Sequence, residues 1–137
     1  MELQFPIEFL VSGTPISSQS RHARSRDDWK RRVKQASFDA LPEDHWATDS
    51  PIAATLFYFP ERPMQGDVDN IVKLVLDALA RHIYLDDRQV ERVVVQKFEP
   101  EHVFPFASPS ARLKEALGGD RPMLYVRVSN DPFEELS

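Results

Sequence analysis

The chain has 137 residues, 42% of them hydrophobic and 28% charged, with a net charge of −5; that is the size of one domain with a real core and the composition of an ordinary soluble protein rather than a disordered one. No apolar run approaches the roughly 20 residues that span a bilayer, and Met1-Glu2-Leu3-Gln4 lacks the basic-then-apolar opening of a signal peptide, so a cytoplasmic protein with no membrane contact is expected. The absence of cysteine excludes a disulfide framework, a zinc-thiolate site and a cysteine nucleophile.

Leu3, Phe5, Ile7, Phe9 and Val11 recur at every second position, which predicts a strand with one buried face. Pro6 has no N–H to give a ladder, so this strand belongs at a sheet edge or leaves its Pro6 side unpaired. A polar loop, Gly13 to Ser20, leads into a predicted helix from Ser25 to Leu41, capped by Ser25 or Asp27, with Trp29, Val33, Ala36, Phe38 and Ala40 on its apolar side. Within residues 21–34, Arg21, Arg24, Arg26, Lys30, Arg31, Arg32 and Lys34 face only Asp27 and Asp28. This local +5 leaves −10 on the rest of the chain. A basic patch on an acidic body can engage phosphate; taken alone it reads equally as a solvated helix face.

Pro42 and the polar residues after it end that helix, and Pro51 to Phe59 form a strand apolar at nearly every position, expected at the sheet centre with both faces covered. A loop from Pro60 to Gly66 precedes a helix predicted from Asn70 to His82, with Asp69 or Asn70 as its cap. Val90 to Phe98 form a third strand, with Val93 and Val95 on one face and Arg92, Val94, Gln96 and Phe98 on the other. Residues 99–122 are too long for a hairpin and include a short helix capped by Ser110 and stopped by Gly118-Gly119. Met123 to Val128 make the last strand. The order β-α-β-α-β-(short α)-β predicts a single α+β domain over residues 1–130, a small mixed sheet with helices packed on it, followed by a frayed tail at 131–137.

The most informative stretch runs from Gly66 to Val90. Asp67 and Asp69 are two residues apart, so on an extended chain both carboxylates project to one side. Lys73 lies one helical turn beyond Asp69, and Asp77 one turn beyond Lys73, where it can pair with the lysine. The turn at Asp86-Asp87 can bring a third carboxylate back beside the first two; the residues alone leave open which acid points inward. Clustered carboxylates resist desolvation and repel one another unless a cation is shared, and magnesium is the hard, oxygen-seeking ion that suits them. Such a group fits phosphodiester hydrolysis, with the lysine neutralising charge in the transition state. Asp67-Val68-Asp69-Asn70 alone also reads as a turn and a helix cap. An EF-hand, a nucleophile elbow and a glycine-rich phosphate loop are excluded by the residues present, and His22, His45, His82 and His102 have no metal-ligand spacing.

Taken together, Asp67-Val68-Asp69-Asn70, Lys73, Asp77-Ala78-Leu79 and Asp86-Asp87-Arg88-Gln89-Val90 resemble the D-x-D-N-x-x-K-x-x-x-D-A-L and D-D-x-Q-V elements of the RusA family of Holliday-junction resolvases, with Lys97 matching a lysine on the next strand. The resemblance implies a small homodimeric endonuclease that binds four-way DNA junctions and nicks two opposed strands with Mg2+, or Mn2+ in its place, in recombination and repair. It implies Asp67, Asp69 and Asp87 as metal ligands and Lys73 as the lysine of the reaction, and leaves Asp86 without a role. Phosphate contacts are then expected from Arg21, Arg24, Arg26, Lys30, Arg31, Arg32 and Lys97. The sequence departs from the pattern at Gly66, where the family often has a basic residue, in the long 99–122 connection and in its acidic body. The competing readings are a catalytically silent protein that binds branched DNA, and a metal-dependent phosphoesterase acting on another nucleic acid.

Overall fold

The computed structural model describes residues 1–102 and 104–135. Its elements are β1 (Ile7–Ser12), α1 (Ala23–Ser37), β2 (Ile52–Phe59), α2 (Val72–Leu79), β3 (Val90–Lys97), α3 (Ala111–Gly118) and β4 (Met123–Ser129), with 3-10 turns at Phe38–Ala40, Val68–Ile71 and Asp87–Gln89. The four strands form one mixed sheet in the order β1-β4-β2-β3. The α+β fold class and the element order match the expectation.

The sheet has two sides because strand residues alternate. On the first side Ile7, Phe9, Val11, Ile52, Ala54, Leu56, Leu124, Val126 and Val128 pack against Trp29 and Val33 of α1 and Leu74, Val75 and Leu79 of α2. On the second side Phe59, Phe98 and Tyr125 pack with Leu113 and Ala116 of α3, flanked by Phe57 and Phe106. The long connection therefore has a structural use: it covers the sheet face that α1 and α2 leave open. β2 sits between β4 and β3, as its apolar run requires, and β1 lies at the edge immediately after Pro6.

Element ends differ from the sequence expectation where tertiary contacts decide them. The first strand begins at Ile7 rather than Leu3. The basic helix begins at Ala23, its N-cap position is His22 with no side-chain cap bond, and neither Ser25 nor Asp27 caps it. Ser37 is its buried polar residue, whereas Phe38 is 48% exposed. The second helix is shorter at both ends, running from Val72 to Leu79. Ser110 does cap α3, accepting from the Leu113 N–H at 3.1 Å. In the expected tail, Glu134 makes an ion pair with Arg127, and its carbonyl accepts from Arg92 Nη1 at 2.9 Å. Leu136 and Ser137 of that tail lie outside the described residues. No helix among the described residues is long and apolar enough to cross a membrane.

Ser37 and His82 form a buried polar contact between α1 and the end of the α2 segment. Ser37 Oγ donates to the Lys34 carbonyl at 2.6 Å, so its lone pair accepts the His82 Nε2 proton at 2.8 Å. Burial, aided by the nearby His45 and Lys34, pushes the His82 pKa from 6.5 down to about 4. An unfolded His82 takes up a proton near pH 6.5 and the folded one only near 4, so stability present above 6.5 is lost as pH falls through this window. At about 1.4 kcal/mol per pH unit the loss reaches about 3 kcal/mol. Urea denaturation at pH 7 and pH 4.5 should show this loss in the wild type and a shallower one in His82→Leu; equal slopes would contradict it.

Candidate active site

Strands β2 and β3 are parallel neighbours, so the chain must cross over between them, and α2 is that crossover. The acids sit at its two ends. Asp67 and Asp69 lie where the chain enters α2; Asp86 and Asp87 lie where it leaves for β3. Gly66, with φ of +84°, turns the backbone into this segment, a conformation that a side-chain-bearing residue adopts only under strain. The departure at Gly66 thus has a backbone reason.

Asp67 is extended, with φ −92° and ψ 140°, but a 3-10 turn begins at Val68 and Asp69 lies inside it. The extended geometry that would aim both carboxylates to one side therefore holds at Asp67 and not at Asp69. Neither Asp69 nor Asn70 caps a helix: the N-cap positions are Asp67 for the 3-10 turn and Ile71 for α2, and neither makes a side-chain cap bond.

Asp69, Lys73 and Asp77 recur every four residues along the outer face of the α2 segment, with Val72 and Leu76 between them. Asp87 and Val90 line the same shallow pocket of about 330 Å³. Asp67 is not among its lining residues. Lys73 Nζ lies 3.5 Å from Asp77 Oδ1, the pairing that the spacing allows. The buried Tyr84 donates to the carbonyl of Leu76, a lining residue of the pocket, at 2.7 Å. Burial first, then the charges of Asp87 and Asp77, push its phenol pKa upward, so both acids bear on the same ring.

The two neighbouring acids at 86 and 87 take different positions. Asp86 is the N-cap of the 3-10 turn at Asp87–Gln89: its carboxylate accepts from the Arg88 N–H at 2.9 Å, and the Gln89 side chain completes a capping box. That hydrogen bond, with Arg88's side chain assisting, holds the Asp86 carboxyl below the usual range. Asp87 enters the pocket instead. Among the described residues no hydrogen bond or ion pair engages the Asp67, Asp69 or Asp87 side chains.

The donor set matches a hard divalent cation, since it consists of carboxylate oxygens with no internal partner among the described residues. It does not form a closed cage: among the described residues no three His, Cys, Asp or Glu side chains converge on one point. Magnesium is compatible with that openness, because it keeps several waters and is commonly held by one or two carboxylates together with substrate phosphate. Asp69 and Asp87 line the pocket where such an ion would be held.

The basic segment adjoins the acids. The loop leading to α1 touches the acid turn directly, through the Ser18 N–H to the Asn70 carbonyl at 3.0 Å. Arg21 and Arg24 are exposed, and Arg26 is half-buried with its guanidinium on the Ser20 carbonyl. Lys30 lies 3.5 Å from Asp27 and Arg31 2.7 Å from Asp28, both as helix neighbours. Arg32 crosses Gly13, where an added Cβ would stand 2.6 Å from Nη1. At the far end of β3, Lys97 lies 3.4 Å from Glu99. The same Glu99 carboxylate accepts from the Met64 N–H at 2.6 Å, which lowers its pKa and fastens the loop that enters the acid segment.

Glu99 and Gln89 are the residues whose part the sequence reading did not identify. For Gln89 a signal was present, since Asp86-x-x-Gln89 has capping-box spacing. For Glu99 there was none, because its partner is a backbone N–H 35 residues away.

The family model described as endodeoxyribonuclease RusA matches residues 14–104. That span covers about two thirds of the chain and contains the basic helix, Asp67, Asp69, Asp77, Asp86, Asp87, Lys73 and Lys97. No curated protein matches the chain.

Proposed function

Because the chain belongs to the RusA family of endodeoxyribonucleases, we propose that it is a magnesium-dependent resolvase that nicks two opposed strands of a four-way DNA junction during recombination and repair. The observation that carries this reading is the pocket shared by Asp69, Lys73, Asp77 and Asp87. Asp67, Asp69 and Asp87 would hold Mg2+, or Mn2+ in its place. When bound, the ion supplies a polarised phosphoryl oxygen and an attacking water of lowered pKa.

The chain's own groups then have defined tasks. Lys73, exposed and anchored by Asp77, brings an ammonium to the oxygens where negative charge accumulates in the transition state. The basic segment, whose leading loop is bonded to the acid turn through Ser18 and Asn70, gives flanking phosphates their counter-charge. Arg21, Arg24 and Arg32, exposed and outside the ion pairs of α1, lead that contact. Lys30, Arg31 and Lys97 each have an acidic neighbour to leave first. A symmetric homodimer would offer two such pockets to two strands of like polarity. The cytoplasm is the expected setting.

Incubating the protein with a labelled four-way junction and with linear duplex, in Mg2+ or in EDTA, tests the proposal. Junction-selective, EDTA-sensitive nicks on opposed strands are expected. Equal cutting of both substrates, activity in EDTA, or salt-sensitive binding with no cleavage in any divalent metal would overturn it.

A further inference from the structure

One neutral side chain, that of Gln89, bridges the acid turn to the chain entering β2. Gln89 Oε1 accepts from the backbone N–H groups of Leu85 and Asp86, both at 2.8 Å. Its Nε2 donates to the carbonyls of Thr48 at 2.9 Å and Ser50 at 2.8 Å. An amide has two donor hydrogens and two acceptor lone pairs, so these four bonds use its full capacity. They also fix its orientation, since a flipped amide would set donors against donors and carbonyls against a carbonyl.

The two halves of the amide join two segments far apart in the chain. The β2/β3 ladder begins at Ile52 opposite Val90. Gln89 stands one residue before that start, and its Nε2 bonds continue the pairing into the loop ahead of β2. Its Oε1 bonds gather the N–H groups on the opposite side of the turn, where Asp86 closes the capping box. With Asp86 occupied as the cap, Asp87 is the acid left to enter the pocket beside Asp69 and Lys73. The Thr48 N–H, bonded to the Ile83 carbonyl at 2.9 Å, ties the same loop to the chain before the turn.

We propose that Gln89 is the positioning residue of this site, holding the Asp87 carboxylate at the pocket by fastening the acid turn to the chain entering β2. The inference rests on the reading of Asp87 as a metal ligand. It acts through geometry alone: Gln89 carries no charge, and its amide is fully used within the protein.

Mn2+ binding to the full chain, followed by electron paramagnetic resonance of the free ion, tests this with wild type, Asp87→Asn, Gln89→Met and Gln89→Asn. Methionine keeps the length and loses all four bonds; asparagine keeps the amide but is one methylene too short to reach both segments. Metal affinity is expected to fall about 10- to 100-fold in both Gln89 variants, as for other residues that orient a ligand. Junction affinity in EDTA should stay at the wild-type value, and saturating Mn2+ should restore most of the cleavage, which a general loss of structure would not allow. Wild-type Mn2+ affinity in a folded Gln89 variant overturns the inference while leaving the metal reading intact. A wild-type protein that binds no Mn2+ overturns both. Failure of both variants to fold assigns Gln89 to the fold alone and equally overturns the positioning role.

Discussion

Replacing Asp69 with Asn is expected to abolish junction cleavage, a loss of about a thousandfold or more, while leaving the fold and junction affinity nearly unchanged. The size follows from the several kcal/mol of transition-state stabilisation that a bound metal supplies, at about 1.4 kcal/mol per tenfold in rate. The separation of effects follows from the local structure. Asp69 is exposed, caps no helix and has no hydrogen-bond or ion-pair partner among the described residues, and surface substitutions away from such features stay within about 0.5 kcal/mol. Losing one negative charge beside phosphate, if anything, strengthens DNA binding. Single-turnover cleavage, thermal melting and junction binding in EDTA check the three parts. An Asp69→Asn variant that melts several degrees lower would give Asp69 a structural role instead, and one that cleaves at the wild-type rate would remove it from the site.

Lys73→Met should lower the cleavage rate by about 100- to 1,000-fold, the usual cost of removing one donor aimed at developing negative charge. Unlike Asp69→Asn, it should leave the Mg2+ concentration for half-maximal activity nearly unchanged, because the ammonium is not a metal ligand. Stability should also hold. The Lys73–Asp77 pair is 3.5 Å apart with the lysine 70% exposed, and exposed helix pairs of this kind contribute about 0.3–0.5 kcal/mol. A Mg2+ titration of cleavage for wild type and variant separates the roles. A parallel shift in metal requirement with an unchanged maximal rate would contradict the role given to Lys73.

Much of this was legible in the sequence, and the limits have local causes. The apolar run of β2 placed it in the sheet interior, Pro6 placed β1 at the edge, and Ser110 with Gly118-Gly119 bounded α3, because each is a direct backbone or burial effect. The end of α2 was not legible. Ala80-Arg81-His82-Ile83 contains no glycine or proline, and the helix stops at Leu79 because Arg81 takes a φ of +63° while His82, Ile83 and Tyr84 turn into the core. The reach of Asp67 and Asp69 differs from expectation for a related reason, as a 3-10 turn at Val68–Ile71 replaces the extended chain that a two-residue spacing invites. The Lys73–Asp77 pairing follows the helical periodicity of α2, and Asp69, in the 3-10 turn just before it, lines the same pocket. The acids at 86 and 87 are equivalent as residue types; what distinguishes them is that Asp86 is taken up as the cap of the 3-10 turn while Asp87 lines the pocket, in a turn whose Gln89 bonds the chain at Thr48 and Ser50, 41 and 39 residues earlier.

On the proposed function these carboxylates hold a divalent ion over the phosphate to be cut. Anomalous scattering from crystals of the wild-type protein grown with Mn2+ and a four-way junction tests it most directly. A metal peak is expected in the pocket between Asp69 and Asp87, with Lys73 facing the junction phosphate. A peak elsewhere on the protein, or an empty pocket at saturating Mn2+, would contradict it.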